Sequence, residues 1–230
     1  MLVEAEAAQQ VIEFSHAEPC GTIKLTCPVA LLHVHIGHVI ADFMLECPKV
    51  QVHLEATNRR VDLLAEGVDI AIRVRPEPFE DSDLVLKRLS ERGLCLVAST
   101  ALVEKMGLPA TPTDLVQWPS LGLGEPQHQY AWTLSGTENE KIAVSHTPRY
   151  VTTDMVALRS AALKGVGVVQ LPSLMVNEQL KQGSLIYLLP QWQPKKDIIH
   201  LVYPSRRGQL PAVRALIDFI AQYYQSFTEA

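Results

Sequence analysis

Two arginines at the end of an apolar segment are the side chains in this sequence best suited to bind a ligand. Arg73 and Arg75 lie at the end of the run that starts at Ile70, which predicts a strand covered on both faces. Open α/β sheets bind ligands at the carboxyl ends of their strands, and a guanidinium holds a carboxylate or phosphate through paired hydrogen bonds. The alternative for Arg73 is an ion pair with Asp69 or another nearby carboxylate.

The segment before these arginines predicts a strand, a turn and a short helix. Apolar and polar residues alternate from Val50 to Glu55, which is typical of a half-buried strand. Thr57 and Asn58 supply turn and capping groups, and apolar residues at helical spacing follow until Gly67. With the strand that carries the arginines, this order predicts a βαβ unit of a small-molecule-binding α/β domain.

Three histidines offer a second kind of chemistry. His35 and His38 are three residues apart on a predicted helix, a spacing that metal ligands can use, and His33 is close by. However, His33 and His35 point to different faces, and no further ligand follows at a suitable spacing. We expect a solvated or dimer-facing helix surface, and no metal site.

The cysteines and the known catalytic motifs give no sign of an enzyme. Cys20, Cys27, Cys47 and Cys95 form no CxxC pair and no zinc spacing, so reduced thiols are expected, with Cys95 buried in a strand. The sequence contains no nucleophile elbow, no HExxH and no phosphate-binding loop. A binding module that needs no cofactor is therefore the favoured class.

Charge and composition favour a cytoplasmic globular protein. The 230 residues carry a net charge of −5 with no basic run longer than two residues, so the chain lacks the charge needed to grip DNA phosphates by itself. The N-terminus has neither the basic nor the apolar region of a secretory signal. We therefore expect a cytoplasmic location.

The remaining patterns predict alternating strands and helices. An apolar helix is expected at 29–47, where Pro48 ends it, and further helices at 101–106, 153–164, 173–181 and 209–224. The other predicted strands lie at 22–26, 84–89, 94–98, 120–123, 141–144, 168–171, 185–188 and 198–203.

Several short motifs, in this order, resemble the effector-binding domain of LysR-type transcriptional regulators. They are Pro19 to Leu25, Arg60 to Leu64, Glu66 to Arg73, Leu86 to Leu89, Leu96 to Ser99, Gly107 to Pro109, Asp114-Leu115 and Lys164 to Val168. The resemblance implies an α/β fold of two Rossmann-like lobes joined by two crossover strands, as in type 2 periplasmic binding proteins. It assigns 19–98 with 200–230 to lobe I and 99–199 to lobe II. Residues 1–18 would be the end of a linker helix, or, for 1–8, a frayed tail.

The resemblance also implies where an effector would bind. The expected cleft between the lobes is lined by residues at strand ends and helix starts. From lobe I these are Pro28, Val29, Ala30, Thr57, Asn58, Arg73 and Arg75, and from lobe II they are Leu123, Gly124, Thr152, Thr153 and Asp154. Arginine at this site would favour an anionic effector. Cys27 falls at the mouth of the same cleft, where either a packing role or redox sensing is open.

The implied function is an effector-sensing and oligomerisation domain of a DNA-binding regulator. No segment matches the family's N-terminal winged helix-turn-helix, so DNA binding is expected only through such a domain. The resemblance predicts a homodimer through helices 29–47 and 153–164, and a tetramer for the full-length protein. The alternatives are a stand-alone solute-binding protein of the same fold, which the missing signal disfavours, and an enzyme on this fold, which the missing catalytic residues disfavour.

Overall fold

The computed structural model describes residues 18–77, 84–126, 129–138, 140–205, 207 and 210–226. The linker helix predicted for residues 1–18 lies almost wholly outside these residues. The strands are β1 Gly21–Cys27, β2 Val50–Ala56, β3 Ile70–Arg75, β4 Leu84–Arg92, β5 Leu94–Ser99, β6 Ser120–Leu123, β7 Tyr130–Ser135, β8 Lys141–His146, β9 Pro148–Thr152, β10 Val169–Pro172, β11 Leu185–Leu188, β12 Gln193–Pro194 and β13 Asp197–Pro204. The helices are α1 Val29–Glu46, α2 Thr100–Met106, α3 Met155–Leu163, α4 Ser173–Lys181 and α5 Pro211–Ser226, with a 3₁₀ segment at Pro112–Gln117.

The described chain divides into two compact units. The first contains the residues up to Ser90 and those from Ile198 onward, and the second is Glu91–Asp197. The first boundary lies at Ser90 and not at Ala98, because β5 pairs on both sides with strands of the second unit, β10 and β11. Strand β5 therefore belongs to the second unit, although the sequence assigned it to lobe I.

The first unit is a five-stranded sheet in the order β2-β1-β3-β13-β4. Strands β1, β2 and β3 run parallel, with Cys27 opposite Ala56 and Thr26 opposite Ala71, while β13 is antiparallel to β3. Helices α1 and α5 pack with this sheet in one core that includes Ile23, Leu25, Ile36, Phe43 and Leu216. Emptying one such site, as in Phe43→Ala, would cost about 3–5 kcal/mol.

Helix α1 contains a π-helical turn at Leu32–Ile36. The amide of Gly37 donates to the carbonyl of Leu32, five residues back, and a Cβ at Gly37 would lie 3.0 Å from that carbonyl oxygen. Glycine therefore fits the wide turn better than any residue with a side chain. By length and composition α1 could also cross a membrane, a test that the core helix of a soluble protein passes as well.

The prediction of a surface position was wrong for His35. His33 and His38 are exposed, but His35 is buried, and its ring nitrogens lie 3.1 Å from the Tyr224 hydroxyl and 2.9 Å from the Tyr223 hydroxyl. Because both nitrogens have partners, burying the imidazole leaves no unsatisfied polar atom on it. His35 therefore fastens α5 to α1.

The short helix predicted before Gly67 is a turn. The Asp62 carboxylate accepts from the amides of Leu64 and Ala65 at 3.1 Å, and the Val68 amide donates to the Leu63 carbonyl at 2.9 Å. Gly67 has a φ of +66°, which ends the turn before a second helical turn can form. The apolar spacing was real, but the segment is too short to propagate a helix.

The described residues of the second unit form three small sheets. Strand β5 is central in β10-β5-β11, β7 is central in β12-β7-β8, and β6 pairs in parallel with β9. Its core includes Leu96, Leu115, Trp132 and Leu134. Strands β7, β9 and β12 were not predicted, although Trp132 and Leu134 of β7 show the alternation of a half-buried strand.

Candidate ligand-binding site

The residues predicted for lobe I meet at the carboxyl ends of β1 and β2. Because these strands are parallel and in register, the loops that follow Cys27 and Ala56 leave the sheet side by side. The Thr57 amide donates to the Cys27 carbonyl at 2.9 Å, and the Asn58 Oδ1 accepts from the Val29 amide at 3.2 Å. The structure therefore brings Pro28, Val29, Thr57 and Asn58 together.

The start of α1 carries the positive end of a long helix. Pro28 offers no side-chain cap, and no acidic residue lies in the first turn. The Val29 amide is satisfied by Asn58, whereas the amides of Ala30 and Leu31 have no acceptor within the helix, as in any first turn. These amides and the helix dipole together favour a negatively charged partner.

Arg73 and Arg75 lie beyond the last paired residue of β1, at the same edge of the sheet. Arg73 is half-buried, and its Nη2 donates to the Val61 carbonyl at 3.1 Å. Arg75 is exposed. Arg73 therefore supports the loop after β2, whereas Arg75 is the arginine with the greater freedom to reach a ligand.

Asp69, the carboxylate considered as a partner for Arg73, forms an ion pair with Arg207. Asp69 is buried, and its Oδ1 lies 3.4 Å from the Nε of Arg207 while its Oδ2 accepts from the Lys24 amide at 2.8 Å. The pairing partner of Asp69 therefore comes from the segment after β13.

A surface ion-pair cluster stabilises the loop that contains Thr57 and Asn58. Arg59 contacts Glu66 with both terminal nitrogens, at 2.8 and 2.5 Å, and reaches Glu55 at 3.2 Å. The Arg59 guanidinium lowers the pKa of Glu66. These ion pairs were not predicted, although the i,i+4 spacing of Glu55 and Arg59 is a recognisable signal.

Cys27 has the wrong surroundings for a redox-sensing thiol. It is fully buried, its Sγ lies 3.5 Å from the Pro28 carbonyl oxygen, and burial raises its pKa well above the ordinary range. Reactive cysteines are partly exposed and have a lowered pKa. The packing role is therefore favoured. Cys95 is buried in β5, as predicted.

The residues predicted for lobe II form a similar arrangement within the second unit. Leu123 ends β6 opposite Thr152 of the parallel strand β9, and the Gly124 amide donates to the Thr152 carbonyl at 3.0 Å. Helix α3 follows directly. Its cap is Asp154, whose Oδ1 accepts from the amides of Val156 at 2.7 Å and Ala157 at 3.4 Å.

Thr153 lies between these groups and is exposed, as are Leu123 and Asp154. The five residues predicted from lobe II therefore lie together at the carboxyl ends of β6 and β9. Within the described residues, no three His, Cys, Asp or Glu side chains are close enough to hold a metal ion.

Comparisons with known proteins define the class. Residues 16–225 match the LysR substrate binding domain, so the chain belongs to this family. The transcriptional regulator PtxR of Pseudomonas aeruginosa is 29% identical over 223 residues, which are 97% of this chain and 70% of PtxR.

Solved structures agree with this assignment. Full-length AphB, the virulence activator of Vibrio cholerae, superposes with a TM-score of 0.79 at 26% identity, over 97% of this chain and 76% of AphB. The regulatory domain of CrgA, a LysR-type regulator of Neisseria meningitidis, superposes with a TM-score of 0.78 at 24% identity, over 90% of this chain and 100% of that domain. The expected α/β fold and the effector-binding regulatory class are confirmed.

Proposed function

We propose that this domain senses an anionic small molecule and, through its oligomeric state, controls a DNA-binding LysR-type regulator in the cytoplasm. The observation that carries the proposal is the start of α1, where amides at a helix N-terminus lie beside Asn58 at the carboxyl ends of parallel strands. Binding and not catalysis is the proposed activity, in line with relatives that are transcriptional regulators.

The residues proposed to contact the effector have unequal roles. The amides of Ala30 and Leu31 would donate hydrogen bonds to oxygen atoms of the ligand, and Thr57 would offer a hydroxyl. Arg75 would supply the counter-charge, because it is exposed while Arg73 is engaged with Val61. The strand ends of the second unit, with Thr152 and Thr153, are proposed as further polar contacts.

The effector proposal is tested by a thermal-shift screen of small carboxylates and their neutral amides. A ligand that binds only the folded state raises Tm. We expect at least one carboxylate to raise Tm where its amide does not, and Arg75→Gln to reduce that shift. Arg149→Gln, which changes an exposed arginine of the second unit, is the matched control and should leave the shift unchanged. Equal shifts for both charge types would contradict an anionic effector.

The dimer is proposed to form through α1 and α3. Near its end α1 exposes Met44 (41%) and Leu45 (83%), which is a high exposure for adjacent apolar side chains on a soluble domain. Along α3, Met155, Val156, Ala157 and Ala161 are partly exposed. A two-fold pairing of these helices would cover both sets, and full-length chains would pair again through their linker helices to make a tetramer.

Sedimentation velocity at micromolar concentration tests this assembly. The wild-type domain is expected to be a dimer, and Leu45→Glu is expected to be a monomer because it places charge in the interface. Leu108→Glu is the matched control: it changes an exposed leucine of the second unit (72% exposed) that lies outside the proposed interface, and this variant should stay dimeric. A monomeric wild-type domain, or a dimer that survives Leu45→Glu, would contradict the proposed interface.

A further inference from the structure

A cavity lies within the first unit, lined by residues other than those described at the start of α1. It has a volume of about 360 Å³ and lies between the turn that contains Leu63 and Leu64, the start of β4 at Leu84, and the end of β13 at Pro204. Since β13 is antiparallel to β3, with Val202 opposite Ala71, this cavity lies at the amino end of β3. It is therefore at the opposite end of β3 from Arg73 and Arg75.

The walls of this cavity combine an aliphatic side with a polar one, and the aliphatic side is formed by Leu63, Leu64, Val68 and Leu84. Leu63 and Val68 are buried at its inner side, Leu84 is partly exposed, and Leu64 is 70% exposed. The sequence places two adjacent leucines in a turn, where solvation would favour polar residues. Covering Leu64 with a ligand's hydrocarbon chain would remove this exposed apolar area from water.

Among the described residues that line the cavity, Arg207 is the cation. Its Nε faces the buried carboxylate of Asp69 at 3.4 Å. Within the described part of the chain, Asp69 is the one carboxylate that contacts Arg207, and the arginine side chain remains 51% exposed. Asp69 itself is fixed by the Lys24 amide, so it can orient the guanidinium without moving. The two Nη groups can then face a ligand carboxylate.

We propose that this cavity is a binding site for a short-chain aliphatic carboxylate. The hydrocarbon chain would lie against Leu63, Leu64, Val68 and Leu84, and the carboxylate would pair with Arg207. The volume falls within the range of small-molecule sites, and the described lining residues include leucine, valine and proline and no aromatic ring on which a planar ligand could stack. This site is distinct from the proposed effector site, because none of its lining residues is among those described at the start of α1.

The test is a titration of the isotopically labelled domain with octanoate, followed by amide chemical shifts in two-dimensional NMR. We expect saturable shifts at Val68, Leu84 and Ser205, and smaller or absent shifts with acetate, which lacks the chain. Octanamide keeps the chain and lacks the charge, so it is expected to bind about tenfold more weakly than octanoate. The Arg207→Gln variant is expected to bind octanoate about tenfold more weakly than the wild-type domain does.

The matched control is Arg214→Gln on α5. Arg214 also pairs with a carboxylate, Asp218 at 2.8 Å, but does not line the cavity, so octanoate binding should be unchanged. Shifts confined to Thr57 and Asn58, equal binding of octanoate and octanamide, or no saturation up to millimolar concentrations would each overturn the proposal. The octanamide comparison uses the wild-type domain and stands even if Arg207→Gln fails to fold.

Discussion

The two units place a helix start beside parallel strand ends in the same way, but they neutralise that helix start differently. In the second unit α3 is capped by its own preceding residue, Asp154, whose carboxylate takes two amides. In the first unit α1 follows Pro28, and its cap is Asn58, a neutral side chain 29 residues away on the next loop. The charge at the helix start is therefore already compensated in the second unit and remains available in the first.

This contrast teaches that topology alone does not define an anion site. Both units offer strand ends and a helix dipole, yet a built-in carboxylate repels an incoming anion, while an amide oxygen satisfies a backbone group and adds no charge. The first unit is therefore the proposed location of the effector's anionic group.

The largest effect is expected from placing a carboxylate at the start of α1, as Asp154 does at the start of α3. Asn58→Asp preserves an acceptor for the Val29 amide but places a carboxylate where the ligand anion is proposed to bind. At an effective dielectric of 20 and a separation of about 6 Å, the repulsion is about 3 kcal/mol, or roughly a hundredfold weaker affinity. Isothermal titration with a carboxylate identified by the thermal-shift screen measures this change. Asp154→Asn is the reciprocal control, and an equal loss in that variant would remove the distinction between the units.

A second difference lies in the response to acid. In the second unit His146 stacks on Trp132 with ring centroids 3.9 Å apart, its Nδ1 lies 2.9 Å from the Ser120 hydroxyl, and burial lowers its pKa to about 4. Between about pH 6.5 and pH 4 the unfolded chain binds a proton that the folded chain does not. Stability should therefore fall as the pH falls through this window, by about 1–2 kcal/mol after allowance for the partial exposure of the ring.

Tryptophan fluorescence can isolate this effect, because all three tryptophans (Trp118, Trp132 and Trp192) lie in the second unit. Urea unfolding at pH 7 and pH 4.5 should show the loss for the wild-type domain. His146→Phe keeps an aromatic ring on Trp132 and should show a smaller loss. The same pH dependence in both proteins would mean that other groups titrate.

A smaller effect is expected from removing the cap of the second unit. Asp154→Ala removes the acceptor for two amides and should cost about 1 kcal/mol in the fluorescence-detected transition. Asn58→Ala removes a cap from the first unit and should leave that transition in place. If Asn58→Ala shifts it equally, the two units unfold as one cooperative structure.

The smallest expected change concerns the thiols. Cys20 is exposed, whereas Cys27 in the first unit and Cys95 in the second are buried. Burial raises the pKa of Cys95 to about 11 and that of Cys27 further still. Ellman's reagent should label Cys20 in the native domain and reach Cys27 only after unfolding. Rapid native labelling at Cys27 would reopen its redox role.

Local patterns predicted most elements of both units, and the errors have identifiable causes. The α4 segment Ser173–Lys181 and β11 were predicted with the same limits because apolar spacing and flanking breakers agree there. The turn after Asp62 was mistaken for a helix because periodicity does not reveal length. Pairing across the sheet decided which unit holds β5, and no local pattern reports such pairing.

The site residues show the same limit. Asn58 was recognised as a capping residue, but the sequence suggested that it served the segment after it, whereas its oxygen holds the start of α1. His35 was expected at the surface, because its hydroxyl partners on α5 lie 188 and 189 residues away. Long-range polar contacts of this kind become visible only when the tertiary structure is known.

The path of the chain also has a consequence for synthesis on the ribosome. The second unit is one continuous segment, so it can complete its core while the rest of the chain is still being made. The first unit needs β13 beside β3, where Leu201 lies opposite Ile72, and then α5 over the sheet. Its early strands therefore keep an unpaired edge at β3 until β13 has been synthesised, and their core stays incomplete until α5 has followed. Nascent-chain protection by a chaperone would be needed most by the half of the domain proposed to bind the effector.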